Sequence, residues 1–179
     1  MRSRARQDIA YRTTSTAMLL ACAVVLGYLE SAVWPAMPVP GVRLGVANVA
    51  VVAALVLAGP RSAMVVSLGR VFLVALAVGS LGGPSMLLGL AGAIASLAVM
   101  LALRAAGSVF SVVGWSVGGA AAHVLAQVLV ASVLVGSFAP LVLAPLMLGL
   151  SVPAGLATGL AVRLLLSRIP ELSLSVAGR

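Results

Sequence analysis

Five side chains able to bind or polarise a ligand lie inside otherwise apolar runs: Glu30, Asn48, Arg70, His123 and Gln127. Together they offer both charge signs and both senses of hydrogen bond, which suits recognition of a small polar molecule. His123 and Gln127 are four residues apart and so share one face of a helix. Glu30 is one of three acidic residues in the chain. It is followed by a rigid connection holding Pro35, Pro38, Pro40 and Gly41, and then by Arg43. Proline lacks the amide donor and biases the residue before it away from the helical region, so this connection cannot continue a helix. A carboxylate, a guanidinium and a carboxamide around a stiff turn cost free energy that membrane crossing alone does not require. The stretch from Leu29 to Asn48 therefore reads as the lip of a binding site, with Arg43 on its rim and Trp34 as a cover or a membrane-surface anchor.

The elements that must position these groups follow from composition. Of 179 residues, 63% are hydrophobic and 8% are charged, against about 25% charged in soluble domains. The chain is expected to be an all-α, polytopic membrane protein whose solvent is the lipid bilayer. All eleven basic residues are arginines, placed mostly between apolar runs and at the termini. The formal charge of +8 thus reads as orientation in a membrane, with no nucleic-acid partner, because no basic stripe with interleaved aromatics exists. Leu19-Leu20-Ala21-Cys22 resembles a lipid-attachment box, yet only Ala17 to Ala21 is uninterrupted before the cysteine. A signal core needs roughly 7 to 15 apolar residues, so a retained first helix is expected.

About 20 helical residues cross ~30 Å of hydrocarbon, and charge and turn signals divide the chain into six spans. These are Thr13 to Val33, Leu44 to Ala58, Ser62 to Ser80, Ser85 to Leu103, Val113 to Val135, and Pro140 to Leu166, the last kinked at Pro145 and Pro153. The second is short and reads as tilted or partly re-entrant. Residues 1–12 form a basic tail, 13–168 the membrane domain and 169–179 a second tail. With the N-terminus cytoplasmic, nine arginines fall inside, Arg43 alone falls outside and Arg70 lies within the bilayer, as the positive-inside rule favours. Both termini are then cytoplasmic.

Small residues spaced for close helix contact occur at Ala17 and Ala21, Gly114 and Gly118, and Gly155 and Gly159. Helix rise places Arg70 about 12 Å from the inner end of its span. It places all five polar groups in the outer half of the bundle, as a pocket open to the exterior requires. Structural roles stand beside the ligand roles: Arg70 locking helices through Glu30 or backbone carbonyls, Asn48 bridging helices, His123 as a hydrogen-bonded core residue, and Glu30 and Trp115 at the membrane surface.

Absences narrow the function. Without lysine there is no phosphate-binding loop of the G-x-x-x-x-G-K-[ST] type, hence no ATP hydrolysis by the usual route. One histidine, one cysteine and three scattered acids (Asp8, Glu30, Glu171) make neither a metal cluster nor a two-metal diphosphate site. No catalytic triad can be assembled. The sequence predicts a protein that is not an enzyme by itself and needs no metal or other cofactor.

Leu29-Glu30-Ser31, then Pro38 to Asn48 (PVPGVRLGVAN), then Ser67 to Val71 (SLGRV), then Phe110 to His123 (FSVVGWSVGGAAAH) with Gln127, fall in an order and spacing that resemble one bacterial membrane family. It is the heptaprenyl diphosphate synthase component I family, also called the Gx transporter family. That family typically has His-Asn where this chain has His123-Val124. It is similar in turn to the S components of energy-coupling factor (ECF) vitamin transporters, six-helix bundles with an external substrate site. The resemblance implies a bacterial cytoplasmic (inner) membrane protein that captures a small ligand outside. It implies that Ala17 and Ala21 dock a transmembrane coupling protein whose ATPase subunits supply the energy. Prenyl transfer itself needs aspartate-rich, magnesium-binding motifs, and the only aspartate is Asp8. A membrane accessory role in polyprenyl diphosphate or menaquinone synthesis is the alternative. An autonomous proton-coupled carrier is a third reading.

Overall fold

Long apolar runs bounded by glycine, proline and arginine dictate helices, because every backbone amide in hydrocarbon must find its partner within the segment. The computed structural model describes residues 2–33 and 46–168, and among them there is no strand. The helices are α1 (Arg2–Val33), α2 (Asn48–Leu57), α3 (Pro60–Ala77), α4 (Pro84–Ala105), α5 (Val112–Val135), α6 (Ala139–Val142) and α7 (Ala144–Ser167). The protein is a multi-pass, all-α membrane protein. Among the described residues five helices, α1, α3, α4, α5 and α7, are long and apolar enough to cross a bilayer.

The expected second span is reduced to a ten-residue helix, about 15 Å long and half of what a crossing needs. Burial explains why so short a helix persists. Asn48 and every residue from Ala50 to Leu55 are buried, as a helix apolar on all sides must be. The five long helices form a row, α1, α3, α4, α5, α7, that curls around α2, which packs against α1, α3, α5 and α7.

Turn chemistry matches this path. Between α2 and α3 the chain reverses at Gly59, whose φ of 94° suits a residue without Cβ, and Pro60 then opens α3 where its missing amide hydrogen costs nothing. Gly136 ends α5 in the left-handed conformation, its amide donating to the Ser132 and Val133 carbonyls. The expected sixth span divides at Leu143 into α6 and α7. Pro145 therefore starts α7 rather than kinking it, while Pro153 lies in its interior.

Close packing of α5 with α7 rests on the expected pair Gly155 and Gly159. A Cβ on Gly155 would stand 2.8 Å from the Val117 Cα, and one on Gly159 would stand 2.7 Å from the Val113 Cα. Backbone meets backbone there, which supplies the dispersion that must hold helices together in lipid. Gly118 likewise receives Leu103 and Val99 of α4, whereas Gly114 is approached only by its neighbours Phe110 and Ser111. Ala17 and Ala21 lie on the exposed face of α1.

Candidate functional site

The inward stripe of α1 contains Ala23, Gly27 and Glu30, all buried, at the i, i+4, i+7 spacing of one helix face. Gly27 is the point of closest approach: a Cβ there would lie 3.1 Å from Val74 Cγ2 of α3. Opposite it, α3 turns Ser67, Arg70, Val71 and Val74 inward. Arg70 is seven residues before the end of α3, about 10 Å by helix rise, and only 6% exposed. Its guanidinium does not reach for the surface. Arg70 Nη2 donates to Asn48 Oδ1 at 2.7 Å, joining α3 to the first residue of α2. Such a charge-assisted bond is worth about 1.5–3 kcal/mol. Asn48 Nδ2 is buried and has no hydrogen-bond partner among the described residues.

The third wall comes from α4 and α5. His123 is 2% exposed and its ring lies flat in the notch left by Gly92. A Cβ on that glycine would stand 2.7 Å from Cε1, 2.8 Å from Nδ1 and 2.9 Å from Nε2. One turn along α4, Gly89 faces Val71 of α3. Between these surfaces lies a cavity lined by Gly27, Glu30, Arg70, Val71, Val74, Gly89 and His123, with about 10 Å³ open to a water centre. That is room for roughly one water.

The fold thus gathers Glu30, Arg70 and His123, which are 40 and 53 residues apart in sequence, on one cavity, with Asn48 attached through Arg70. Gln127 is fully buried on the same face of α5 as His123, but it does not line the cavity. Trp34 and Arg43 lie outside the described residues. No group of three or more potential metal ligands exists among the described residues.

The profile of the family described as heptaprenyl diphosphate synthase component I matches residues 19–165. The chain belongs to that family. No curated protein and no solved structure matches it. The matched segment includes both of the cavity's charged residues, its histidine, all of α3, α4 and α5, and the part of α1 that carries Ala23, Gly27 and Glu30.

Two features of the site were not anticipated from sequence. Gly89 and Gly92 shape its α4 wall, and the signal available was their placement mid-helix, where glycine is unfavourable unless something packs closely against it. At the other end of the bundle, Arg104 of α4 turns inward and its Nη1 donates to the Leu55 carbonyl of α2. The Arg104 guanidinium also sits 6.0 Å from the Trp115 ring centroid. Arg104 thus caps the half-length helix, since a helix C-terminus presents unsatisfied carbonyls and negative dipole. Trp115, expected at the membrane surface, packs against the buried core beside α2, with its Nε1 buried.

Proposed function

We propose that this protein is a membrane-embedded binding and translocating subunit for a small, partly anionic molecule, similar in role to an ECF S component. The observation that carries the reading is the buried Arg70, held by Asn48 at the edge of a cavity that Glu30 and His123 also line. A purely structural role for that guanidinium does not require a cavity beside it, and intramembrane charge is retained mostly where it binds or moves something. The Asn48 Nδ2 donor, without a partner among the described residues, adds a second group that can donate to an anionic or carbonyl oxygen.

In this reading the cavity is the closed form of the site, since a vitamin- or isoprenoid-sized molecule needs several hundred Å³. Opening falls to α1, whose apolar window is only 6% buried, so that its displacement costs the least packing. The exposed Ala17 and Ala21 give a coupling protein with ATPase subunits a surface on that same helix. The protein sits in the bacterial inner membrane with both ends cytoplasmic, as its arginine distribution favours, and it catalyses no reaction alone.

The test is Arg70→Ala in the full chain, purified gently, with small molecules carried through purification identified by mass spectrometry. A compound should accompany the unaltered protein and be lost from the variant while the variant remains folded in the membrane. Equal retention by both removes Arg70 from the site. The family's own description favours a second reading, a non-catalytic membrane component of a prenyl diphosphate synthase. Co-purification of a soluble prenyl synthase, with no ligand-induced thermal shift, selects that role instead.

A further inference from the structure

Each end of α2 is met by a guanidinium, and the two meetings are electrostatically opposite. At the C-terminus Arg104 donates to the Leu55 carbonyl, where a cation complements the negative end of the helix dipole. At the N-terminus Arg70 donates to Asn48 Oδ1, where the dipole is already positive and a further positive charge is unfavourable. Glu30 lines the same cavity as Arg70 and balances it in formal charge. The helix end is not balanced in this way, since its N-cap residue, Ala47, offers no side-chain acceptor.

That end is also closed to water and next to the cavity. Ala47, Asn48, Ala50 and Val51 are all buried. The first amides of a helix have no acceptor within it, and that of Val49 turns back to the Val46 carbonyl. Asn48 is 2% exposed. While its side-chain oxygen holds Arg70, the Nδ2 of the same carboxamide has no acceptor among the described residues, which is destabilising for a buried donor. Gly27 of the cavity wall stands against this end of α2: a Cβ there would lie 3.1 Å from Val74 Cγ2 and 3.9 Å from Ala47 Cβ. By helix rise Asn48 and Arg70 are both about 15 Å from the turn between α2 and α3, so donor and guanidinium meet at one level of the bundle.

We propose that the α2 N-terminus, Asn48 Nδ2 and Arg70 form a subsite for a single carboxylate group, so that the molecule bound is a monocarboxylate and not a phosphate or diphosphate ester. This rests on the reading of the cavity as a ligand site and names the group that enters it. A carboxylate oxygen gives Asn48 Nδ2 the acceptor it lacks and neutralises the positive helix end, as buried half-length helices do for anionic groups in other membrane proteins. Charge selects the carboxylate. With Arg70 and Glu30 formally cancelling, roughly half an elementary charge at the helix end and the carboxamide dipole are left to offset the ligand. One negative charge is near the limit of that arrangement, whereas a phosphate brings about −1.5 to −2.

Asn48→Asp in the full chain tests this without the natural ligand. Aspartate has the shape of asparagine, keeps an oxygen for Arg70 and fixes on the protein the negative charge that the subsite takes. In detergent with sodium chloride as the only salt, N48D should unfold several degrees above the unaltered protein. Sodium formate, the smallest carboxylate, replacing chloride at constant ionic strength, should raise the unfolding temperature of the unaltered protein saturably and leave that of N48D unchanged. Inorganic phosphate should stabilise the unaltered protein less than formate does. An N48D that unfolds no higher than the unaltered protein, or does not fold, overturns the proposal, because Glu30 then already supplies the negative charge this place tolerates. So does an absent response to formate, a response equal in both proteins, or a larger response to phosphate. Any of these failures, beside a compound that the unaltered protein retains and Arg70→Ala loses, overturns the carboxylate subsite alone and leaves the binding role standing.

Discussion

Replacing Gly92 by alanine would put a methyl carbon 2.7–2.9 Å from three atoms of the His123 ring. Non-bonded carbons rest at about 3.5–4.0 Å, so the imidazole must retreat by about 1 Å. It has little room to do so, because the cavity in front of it holds about 10 Å³. Overpacking of this kind costs about 1–3 kcal/mol, while alanine gains up to about 1 kcal/mol of helix preference over glycine. One turn away the same change has the opposite balance. A Cβ on Gly89 meets Val71 methyls at 3.5 and 4.0 Å, which is ordinary contact, so G89A keeps the propensity gain. G92A should therefore unfold below G89A by about 1–3 kcal/mol, or roughly 2–12 °C at about 2–4 °C per kcal/mol for a chain of this size. Thermal unfolding of both variants in the same detergent, followed by circular dichroism, measures the difference. G92A should also lose any compound retained by the unaltered protein, since the ring it displaces lines the cavity. Equal unfolding temperatures, or a more stable G92A, would refute the placement of His123 on α4.

Two further outcomes follow from packing at other points. R104Q removes the charged donor that caps α2 at the Leu55 carbonyl and the cation above Trp115. It should destabilise the protein by about 1–3 kcal/mol, whereas R61Q, on an exposed residue, should stay within about 0.5 kcal/mol; unfolding in detergent compares them, and equal effects would show that Arg104 is no cap. G159A drives a methyl against the Val113 backbone at 2.7 Å, which cannot rotate away. Helices α5 and α7 must separate, and a cysteine pair across that contact should cross-link more slowly than in a cysteine-paired parent with glycine retained.

How much of this was legible before the fold is clearest at single residues. The α1, α3, α4, α5 and α7 segments follow from length and apolarity, because a continuous apolar run of about twenty residues satisfies its amides in hydrocarbon as a helix, whereas barrel strands are half as long and alternate in polarity. Gly155 and Gly159 were readable as a contact for a related reason: in lipid, close approach is what holds helices together. The burial of Glu30, Asn48, Arg70, His123 and Gln127 was also foreseeable, since lipid rejects such groups and a bundle interior does not.

Partnership was not legible. Periodicity assigns a residue to a face of its own helix and rise assigns it a depth, but neither says which helix stands opposite. That Arg70 meets Asn48, 22 residues away, depends on α3 neighbouring α2. That His123 borders the cavity while Gln127 on the same face does not is likewise set by the packing of neighbouring helices and not by the spacing of the two residues. Arg104 looked like one more arginine at a membrane surface, and only α2 ending beneath it made it a cap. The sequence by itself determined that the chain must be a bundle of apolar helices with a few polar groups hidden inside. The tertiary packing, set by glycine notches and a half-length central helix, decided which of those groups face one another.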